Sequence, residues 1–312
     1  MTHNSGKFRG YLLAAFAAAA YGTNPAFAIP LYEMGMNPNS VLLFRYCLGV
    51  PVVATLMLIR KIDFKLHKEE VMPVFILGVL MAVSSLTLFE SYNYMNSGVA
   101  STLLFVYPIM VAVIMTFFFK EQFKVSLILC FVFMIGGLML LMRPSGNEGL
   151  SGFGFLLVMV SALTYAIYIV LVNASKSISK IPTTKLLFYV LIFGCMVFLF
   201  KIAIGTELTL PGRPFGWCNL IALAVIPTVV SLACTSAAIH LIGSTPTAIF
   251  GALEPVTAVV LSVVFLGQSI TAQEVIGGGL IIVATTIVVT SKSVDRAILH
   301  VRKMFPRHLI KK

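Results

Sequence analysis

Residues 83–123 read VSSLTLFESYNYMNSGVASTLLFVYPIMVAVIMTFFFKEQF, and residues 230–270 read VSLACTSAAIHLIGSTPTAIFGALEPVTAVVLSVVFLGQSI. The two stretches align without a gap at an offset of 147 residues. Identical or similar side chains recur at matched positions, which are Ser84 and Ser231, Ser97 and Ser244, Pro108 and Pro255, Phe118 and Phe265, and Glu121 and Gln268. An offset of 144 residues relates the earlier segments, 10–21 to 154–165 and 43–44 to 187–188. The chain therefore contains an internal duplication.

The composition indicates an integral membrane protein. Hydrophobic residues make up 59% of the chain and charged residues only 11%, with a mean hydropathy of +1.00, whereas about a quarter of an average soluble domain is charged. The net charge of +11 accompanies repeated apolar segments, so we interpret it as loop asymmetry and expect no nucleic-acid partner. The five cysteines lie in or beside apolar segments and predict neither a disulfide framework nor a metal site.

Ten apolar segments are long enough to cross the roughly 30 Å hydrocarbon core of a bilayer as helices. We interpret the first as a retained helix, although its basic beginning also resembles a signal peptide. The segments lie at about 10–30, 39–60, 71–93, 98–119, 124–142, 150–173, 182–201, 216–239, 244–267 and 271–291.

Lysine and arginine positions predict the orientation of these helices. With a cytoplasmic N-terminus, eighteen of these residues lie on the inner side, and only Arg143, Lys201 and Arg213 lie in outer loops. The positive-inside rule then places both termini in the cytoplasm, and we expect a bacterial inner membrane. The basic tail, 292–312, is either a solvated segment that fixes topology or an interfacial helix that binds anionic lipid.

The duplicated unit is five helices long, covering 10–142 and 150–291. Because five is odd, the second unit begins on the opposite side of the membrane, so the units are inverted relative to each other. Inverted repeats are typical of alternating-access carriers, whose substrate site lies near the midplane between the halves. The sequence therefore predicts an all-α membrane protein of two inverted five-helix repeats, functional as a monomer or homodimer.

Enzyme motifs are missing from the sequence. It contains no HExxH zinc motif, no phosphate-binding GxxxxGK and no nucleophile with a credible base. The GGG at 277–279 follows no strand and is better explained by close helix contact. We therefore expect secondary transport without a cofactor rather than catalysis.

Two segments carry a family resemblance. SGVASTLLFVYPIMVAVIMTFFFKEQF (97–123) and the segment GSTPTAIFGALEPVT, continuing to 284, resemble the two copies of the EamA domain of the drug/metabolite transporter superfamily. YGTNPAF and LLFRYCLG, in the first two helices, fit the same pattern, so the resemblance spans 10–290. It implies a ten-helix carrier that exports or imports small metabolites, often amino acids or related compounds; we expect export. The family's usual acid at the end of helix nine is Gln268 here, which argues against a symmetric acid pair with Glu121.

Glu254 is the main candidate for a functional residue, because an ionisable group near the middle of a span costs roughly 2.5–3.5 kcal/mol on insertion scales. Pro255 follows it and deprives the Gly251 carbonyl of its amide donor. Glu254 could bind a substrate ammonium group, take up a proton, or accept hydrogen bonds that only fix helix packing. Its counterpart at the 147-residue offset is Tyr107, so the proline is shared and the charge is not.

Arg45 and Glu90 are a second candidate pair, since both are predicted in the outer third of the membrane. An ion pair between them would lower the cost of burying each charge. A structural pair, snorkelling to the interface, gating and carboxylate binding all remain open.

Polar residues beside prolines suggest a cavity wall. The first helix has Tyr21 and Asn24 next to Pro25, and kinked helices supply free backbone groups to ligands in carriers. Further candidates, which could equally serve helix packing, are Ser84, Thr87, Ser91, Ser101, Thr102, Tyr107, Tyr165 and Ser231.

Two alternatives to a metabolite carrier have distinct requirements. A nucleotide-sugar or sugar-phosphate exchanger should need at least two basic groups in its cavity, and only Arg45 is available. A non-transporting membrane sensor or scaffold would show no flux with any solute.

Overall fold

The computed structural model describes residues 2–91, 93–94, 100, 103–120, 125–141, 151–175, 177–254, 256–257, 260–261, 272–273, 275–284 and 286–287. Throughout these residues the regular secondary structure is helical. The helices are α1 (Thr2–Gly22), α2 (Asn24–Glu33), α3 (Pro38–Ile59), α4 (Lys68–Ser91), α5 (Tyr107–Phe119), α6 (Val125–Leu141), α7 (Gly152–Ala174), α8 (Thr183–Ala203), α9 (Pro214–Ala224), α10 (Ser231–Ile242), α11 (Ser244–Phe250) and α12 (Val275–Ala284).

Six helical stretches in the described part of the chain are long and apolar enough to cross a membrane. They are Gly6–Glu33, Pro38–Ile59, Lys68–Ser91, Gly152–Ala174, Thr183–Ala203 and Pro214–Ile242. Shorter apolar helices, Tyr107–Phe119, Ser126–Leu140 and Val275–Ala284, lie within three further predicted segments. The remaining predicted segment, 244–267, is described only in part, and the basic tail 292–312 lies outside the described residues. The structure thus confirms an all-helical protein of membrane-spanning character.

Local sequence signals explain several helix ends. The side chain of Asn37 accepts the amide of Ser40 at 2.8 Å and caps α3, whose first residue is Pro38. A single residue, Gly243, separates α10 from α11, and its φ of +90° is a conformation that favours glycine.

The stretch Pro214–Ile242 contains a π-helical segment between α9 and α10. Residues Val225–Val230 form this segment, and Pro227 lies inside it. Proline lacks an amide hydrogen, and wider turns of this kind often accompany functional sites. The Thr228 hydroxyl donates to the Leu223 carbonyl at 2.8 Å and so supplies a hydrogen bond to the altered backbone.

Most of the helix packing joins the first half of the chain to the second. α1 packs against α10, α4 against α7 and α8, α3 against α8 and α9, and α5 against α7. Buried serines make hydrogen bonds at two of these contacts. Ser84 donates to the Ser161 carbonyl at 3.0 Å, and Ser231 donates to the Ala17 carbonyl at 3.0 Å.

Two loops lie against helices of the other half. On the side predicted to be cytoplasmic, Lys185 donates to the carbonyl of Lys65, and Tyr189 donates to the carbonyl of Phe64. At the opposite end of α3, the backbone amide of Asn37 donates to the Thr209 hydroxyl at 2.9 Å. Lys185 is buried because its charged end lies against the first of these loops.

Adjacent glycines in α6 show how closely the helices approach. A Cβ added at Gly137 would lie 2.7 Å from the carbonyl oxygen of Gly277, in α12. At Gly136 the nearest atom would be 3.9 Å away, on the side chain of Leu280. The GGG motif therefore does provide a close helix contact, at Gly277.

We expect Gly137→Ala to destabilise the protein and Gly136→Ala to be tolerated. The added methyl at Gly137 would collide with a backbone that cannot move independently of its helix, and such overpacking costs typically about 1–3 kcal/mol. Thermal unfolding in detergent should show a lower Tm for Gly137→Ala alone. Equal Tm values for the two variants would contradict the α6–α12 contact, because both substitutions change helix propensity equally.

Candidate functional site

Glu254 lies at the end of a tightened helical turn. Three carbonyls accept amides from three residues further on: Ala248 from Gly251, Ile249 from Ala252, and Gly251 from Glu254, at 3.1, 3.1 and 2.9 Å. Each bond has the tighter i to i+3 spacing of a 3-10 turn. The expectation that Pro255 leaves the Gly251 carbonyl without a donor is therefore wrong, because the tighter turn brings the Glu254 amide to it.

The first helix packs directly on this turn. A Cβ added at Gly22 would lie 2.6 Å from the carbonyl oxygen of Glu254. Gly22 ends α1, and the chain turns at Thr23 before α2 starts at Asn24, with Pro25 as its second residue. Two interrupted helices therefore meet at Glu254.

Tyr107 holds the other side of the turn. Its hydroxyl donates to the Ala248 carbonyl at 3.1 Å, and a Cβ added at Gly251 would lie only 1.6 Å from that hydroxyl oxygen. Only glycine fits at position 251 while Tyr107 keeps this orientation. Tyr107 begins α5, with Pro108 next, directly after a turn at 105–106.

Three tyrosines lie near enough to Glu254 for their phenols to interact electrostatically with its carboxyl group. They are Tyr21, Tyr107 and Tyr165, which come from α1, α5 and α7. The rings of Tyr107 and Tyr165 pack edge to face with centroids 4.9 Å apart.

The sequence-predicted residues Glu254, Tyr21, Tyr107 and Tyr165 are brought together at this cluster. Glu254, Tyr21 and Tyr165 keep part of their surface accessible, whereas Tyr107 is only 2% exposed.

Arg45 lies beside the same cluster and is only 1% exposed. Its Nε donates to the Thr228 hydroxyl, Nη2 to the Pro227 carbonyl at 3.3 Å, and Nη1 to Asn24 Oδ1 at 3.5 Å. The guanidinium carbon lies 5.6 Å from the centre of the Tyr21 ring, within the range of a cation–π interaction. Tyr21 thus contacts Arg45 and interacts with Glu254.

The predicted ion pair between Arg45 and Glu90 is wrong. Glu90 Oε1 instead accepts Lys201 Nζ at 2.7 Å, and both side chains are about one-third exposed, at 34% and 32%. The similar predicted depth of Arg45 and Glu90 said nothing about their lateral positions. Arg45 points towards the π-helical segment, while Glu90 meets a cation that sequence analysis had assigned to an outer loop.

Thr228 and Pro227 are site residues that sequence analysis missed. Both are in the π-helical segment and both accept hydrogen bonds from Arg45. The available signal was a proline within an apolar span, the same signal that singled out Pro108 and Pro255.

The remaining candidates divide between packing and positions without structural description. Ser84 and Ser231 bond the backbone of neighbouring helices, while Thr87 and Ser91 bond carbonyls of their own helix. Pro255, Ser101, Thr102, Glu121 and Gln268 lie outside the described residues.

Comparison with known proteins identifies the family. The model of the EamA-like transporter family matches residues 8–143 and again 152–290. A protein of Bacillus subtilis named uncharacterized transporter YdfC is 24% identical over 249 residues, covering 78% of this chain and 79% of that protein. An uncharacterized transporter of Clostridium kluyveri is 22% identical over 296 residues, covering 89% and 92% of the two chains. One from Archaeoglobus fulgidus is 26% identical over 195 residues, covering 61% and 66%.

A solved structure, titled only as the crystal structure of a protein, shares the fold. Its TM-score is 0.75 at 14% sequence identity, and the match covers 89% of this chain and 96% of that one. The two matches to the family model together cover most of the sequence, and the helices in both matched regions have the length and apolar character of membrane spans. The chain belongs to the EamA-like transporter family.

Proposed function

We propose that this transporter moves a small metabolite, an amino acid or a related compound, out of the cell by alternating access, without hydrolysing a nucleotide. The observation that carries the proposal is the position of Glu254. Its carboxyl group interacts electrostatically with tyrosines from three helices, and its side chain is partly accessible. A carboxyl group inside a membrane span can exchange a proton or bind a cationic group of a solute.

The proposed architecture is ten spans in two inverted units, 10–142 and 150–291. Support comes from hydrogen bonds related by the sequence offsets. Ser84 bonds the carbonyl of Ser161, and the matched residues Ser231 and Ala17 make the same contact. A structural duplication accounts for both bonds, whereas chance pairing of serines with carbonyls would not preserve the offsets.

The loop contacts support the same architecture. The carbonyl of Lys65 accepts a hydrogen bond from Lys185, near the start of α8. Thr209, which matches Lys65 at the 144-residue offset, accepts one through its hydroxyl from Asn37, at the start of α3. The contacts lie at opposite ends of α3, as an in-plane two-fold relation requires. Together with the distribution of lysine and arginine, they favour an inner-membrane protein with both termini in the cytoplasm.

Glu254→Gln should abolish or uncouple transport while the protein still inserts and folds. Replacing the carboxylate removes a charge-assisted hydrogen bond worth about 1.5–3 kcal/mol, so affinity for a cationic solute group should fall roughly ten- to hundredfold. Flux of radiolabelled amino acids should be measured in proteoliposomes as a function of pH. Loss of pH dependence with retained solute exchange would identify a proton carrier, whereas loss of both would identify an ammonium site.

Glu90→Gln is the matched control, because it makes the same substitution at a partly exposed ion pair outside the cluster. Exposed pairs contribute only about 0–1 kcal/mol, so this variant should transport normally. Normal flux with normal pH dependence in Glu254→Gln proteoliposomes would overturn the assigned role of Glu254.

Joining α3 to α8 should stop transport. The thiol groups of Cys47, in α3, and Cys195, in α8, lie 3.5 Å apart and belong to different halves of the chain. Alternating access requires the halves to move relative to each other. In a variant with Cys130, Cys218 and Cys234 replaced by alanine, copper-phenanthroline should form the 47–195 disulfide and reduce flux to background, and dithiothreitol should restore it.

The control for cross-linking is the same variant with Cys47→Ala added. It should transport normally before and after oxidation, since Cys195 then has no thiol partner at this contact. Undiminished flux through protein whose cross-link is verified by peptide mass spectrometry would exclude separation of α3 from α8 during transport.

A further inference from the structure

Two thiol groups from opposite halves of the chain meet where α3 packs against α8. The sulfurs of Cys47 and Cys195 lie 3.5 Å apart, within the distance of a hydrogen bond between thiols. Both cysteines are free. Because the sulfurs of a disulfide are about 2.05 Å apart, an approach of about 1.5 Å would join the two helices covalently.

The two thiols differ in exposure. Cys47 lies exposed on the surface of α3, whereas Cys195 is only 7% exposed. A reagent that approaches the bundle from outside therefore meets Cys47 first. Redox-active cysteines are often arranged in this way, with an accessible sulfur that is oxidised and a neighbouring sulfur that resolves the product into a disulfide.

The surface around Cys47 faces lipid. Pro51, Thr55 and Leu58 follow Cys47 at helical spacing, and their side chains are exposed as well. The Thr55 hydroxyl donates to the Pro51 carbonyl at 2.8 Å and so needs no water. Cys47 is the tenth of the 22 residues in α3, and a rise of about 1.5 Å per residue places it near the middle of the hydrocarbon core. A reagent for this thiol must therefore dissolve in the membrane interior.

We propose that Cys47 is an oxidation site for hydroperoxides carried on lipid acyl chains, and that Cys195 converts the product into a disulfide between α3 and α8. The Cys47 sulfur attacks the terminal peroxide oxygen, forming an S–O bond while the O–O bond breaks. The thiol proton goes to the leaving oxygen, so the products are a sulfenic acid and a lipid alcohol. The Cys195 sulfur then attacks the Cys47 sulfur, and the displaced hydroxyl leaves as water with the Cys195 proton.

The location suits this chemistry in two respects. A hydrogen bond from the Cys195 thiol would stabilise negative charge on the Cys47 sulfur as its proton leaves, and the deprotonated sulfur is the nucleophile. Neither step leaves a net charge in the hydrocarbon, where an isolated ion is costly. Hydroperoxide groups form beside the double bonds of acyl chains and therefore lie within the hydrocarbon core.

The disulfide would have a consequence for transport, and this consequence rests on the proposed transport function. It would hold α3 against α8 and so keep the two halves in one arrangement. Oxidised lipid would then stop transport until the disulfide is reduced. The oxidation site itself does not depend on transport.

The test uses full-length protein in which Cys130, Cys218 and Cys234 are replaced by alanine, reconstituted in phosphatidylcholine vesicles. One set of vesicles contains phosphatidylcholine with a mid-chain hydroperoxide, and the control set contains the corresponding lipid alcohol. The hydroperoxide should produce the 47–195 disulfide, detected by peptide mass spectrometry. The alcohol should not, because it has no O–O bond to break. A charged, membrane-impermeant thiol reagent in the water phase should leave Cys47 unlabelled.

Single substitutions in this background separate the roles of the two thiols. Cys195→Ala should stop the reaction at the sulfenic acid of Cys47, which dimedone traps when the vesicles are dissolved in detergent. Cys47→Ala should leave Cys195 unoxidised over the same time, because the buried thiol does not meet the lipid hydroperoxide. Since Cys47 lies on the surface of the bundle, its replacement by alanine should leave folding intact.

Four outcomes would overturn the oxidation site. They are no disulfide with the hydroperoxide, an equal yield with the alcohol, undiminished oxidation of Cys195 in Cys47→Ala, and ready labelling of Cys47 from the water phase. These covalent readouts are independent of the flux measurements. A disulfide that forms as described but leaves flux unchanged would contradict the proposed movement of α3 against α8, and the oxidation site would stand.

Discussion

The hydrocarbon interior leaves no water for an unpaired backbone group, so each interruption of a helix must be compensated by the protein itself. Three interruptions in the described part of the chain are compensated by side chains near the candidate site. Thr23 donates to the Ala20 carbonyl at 2.7 Å where α1 ends. Thr228 and Arg45 bond carbonyls at the π-helical segment. Tyr107 bonds the Ala248 carbonyl at the turn before Glu254. Two of the groups that compensate the broken helices, Arg45 and Tyr107, thus also belong to or adjoin the cluster at Glu254.

This dual use explains why the site is both polar and rigid. Tyr107 is held by its hydrogen bond and by the Tyr165 ring, while Gly22 and Gly251 allow backbones and side chains to approach without collision. A larger residue at either glycine would displace groups that satisfy buried backbone atoms. Close approach and polar compensation therefore depend on each other, and small residues at these contacts are a physical requirement.

The sequence predicted the helical class, the duplication and most members of the cluster because these follow from composition, spacing and offset. Tyr107 and Glu254 each directly precede a proline, and Tyr21 lies four residues before Pro25. A nearby proline was therefore the local sequence signal that marked all three residues. The partner of Arg45 could not be predicted in this way. Hydropathy gives the depth of a residue, whereas the choice between Glu90 and Thr228 depends on the rotation and lateral packing of α3. The role of the π-helical segment was missed for a related reason: Pro227 was visible in the sequence, but its contact with Arg45 depends on how α3 packs against this segment.

The two charges of the cluster also break the symmetry between the halves in a complementary way. Glu254 aligns with Tyr107, and Arg45 aligns with Tyr189 at the 144-residue offset. Each half therefore contributes one charge at a position where the other half has a tyrosine. A solute that interacts with both charged groups would be attracted to both halves at once and would favour the arrangement that brings them together. A ligand shifts a conformational equilibrium only through such a difference in interaction between states. On this reasoning, the duplicated helices supply two similar bodies that can move, and the unequal charges make that movement depend on the solute.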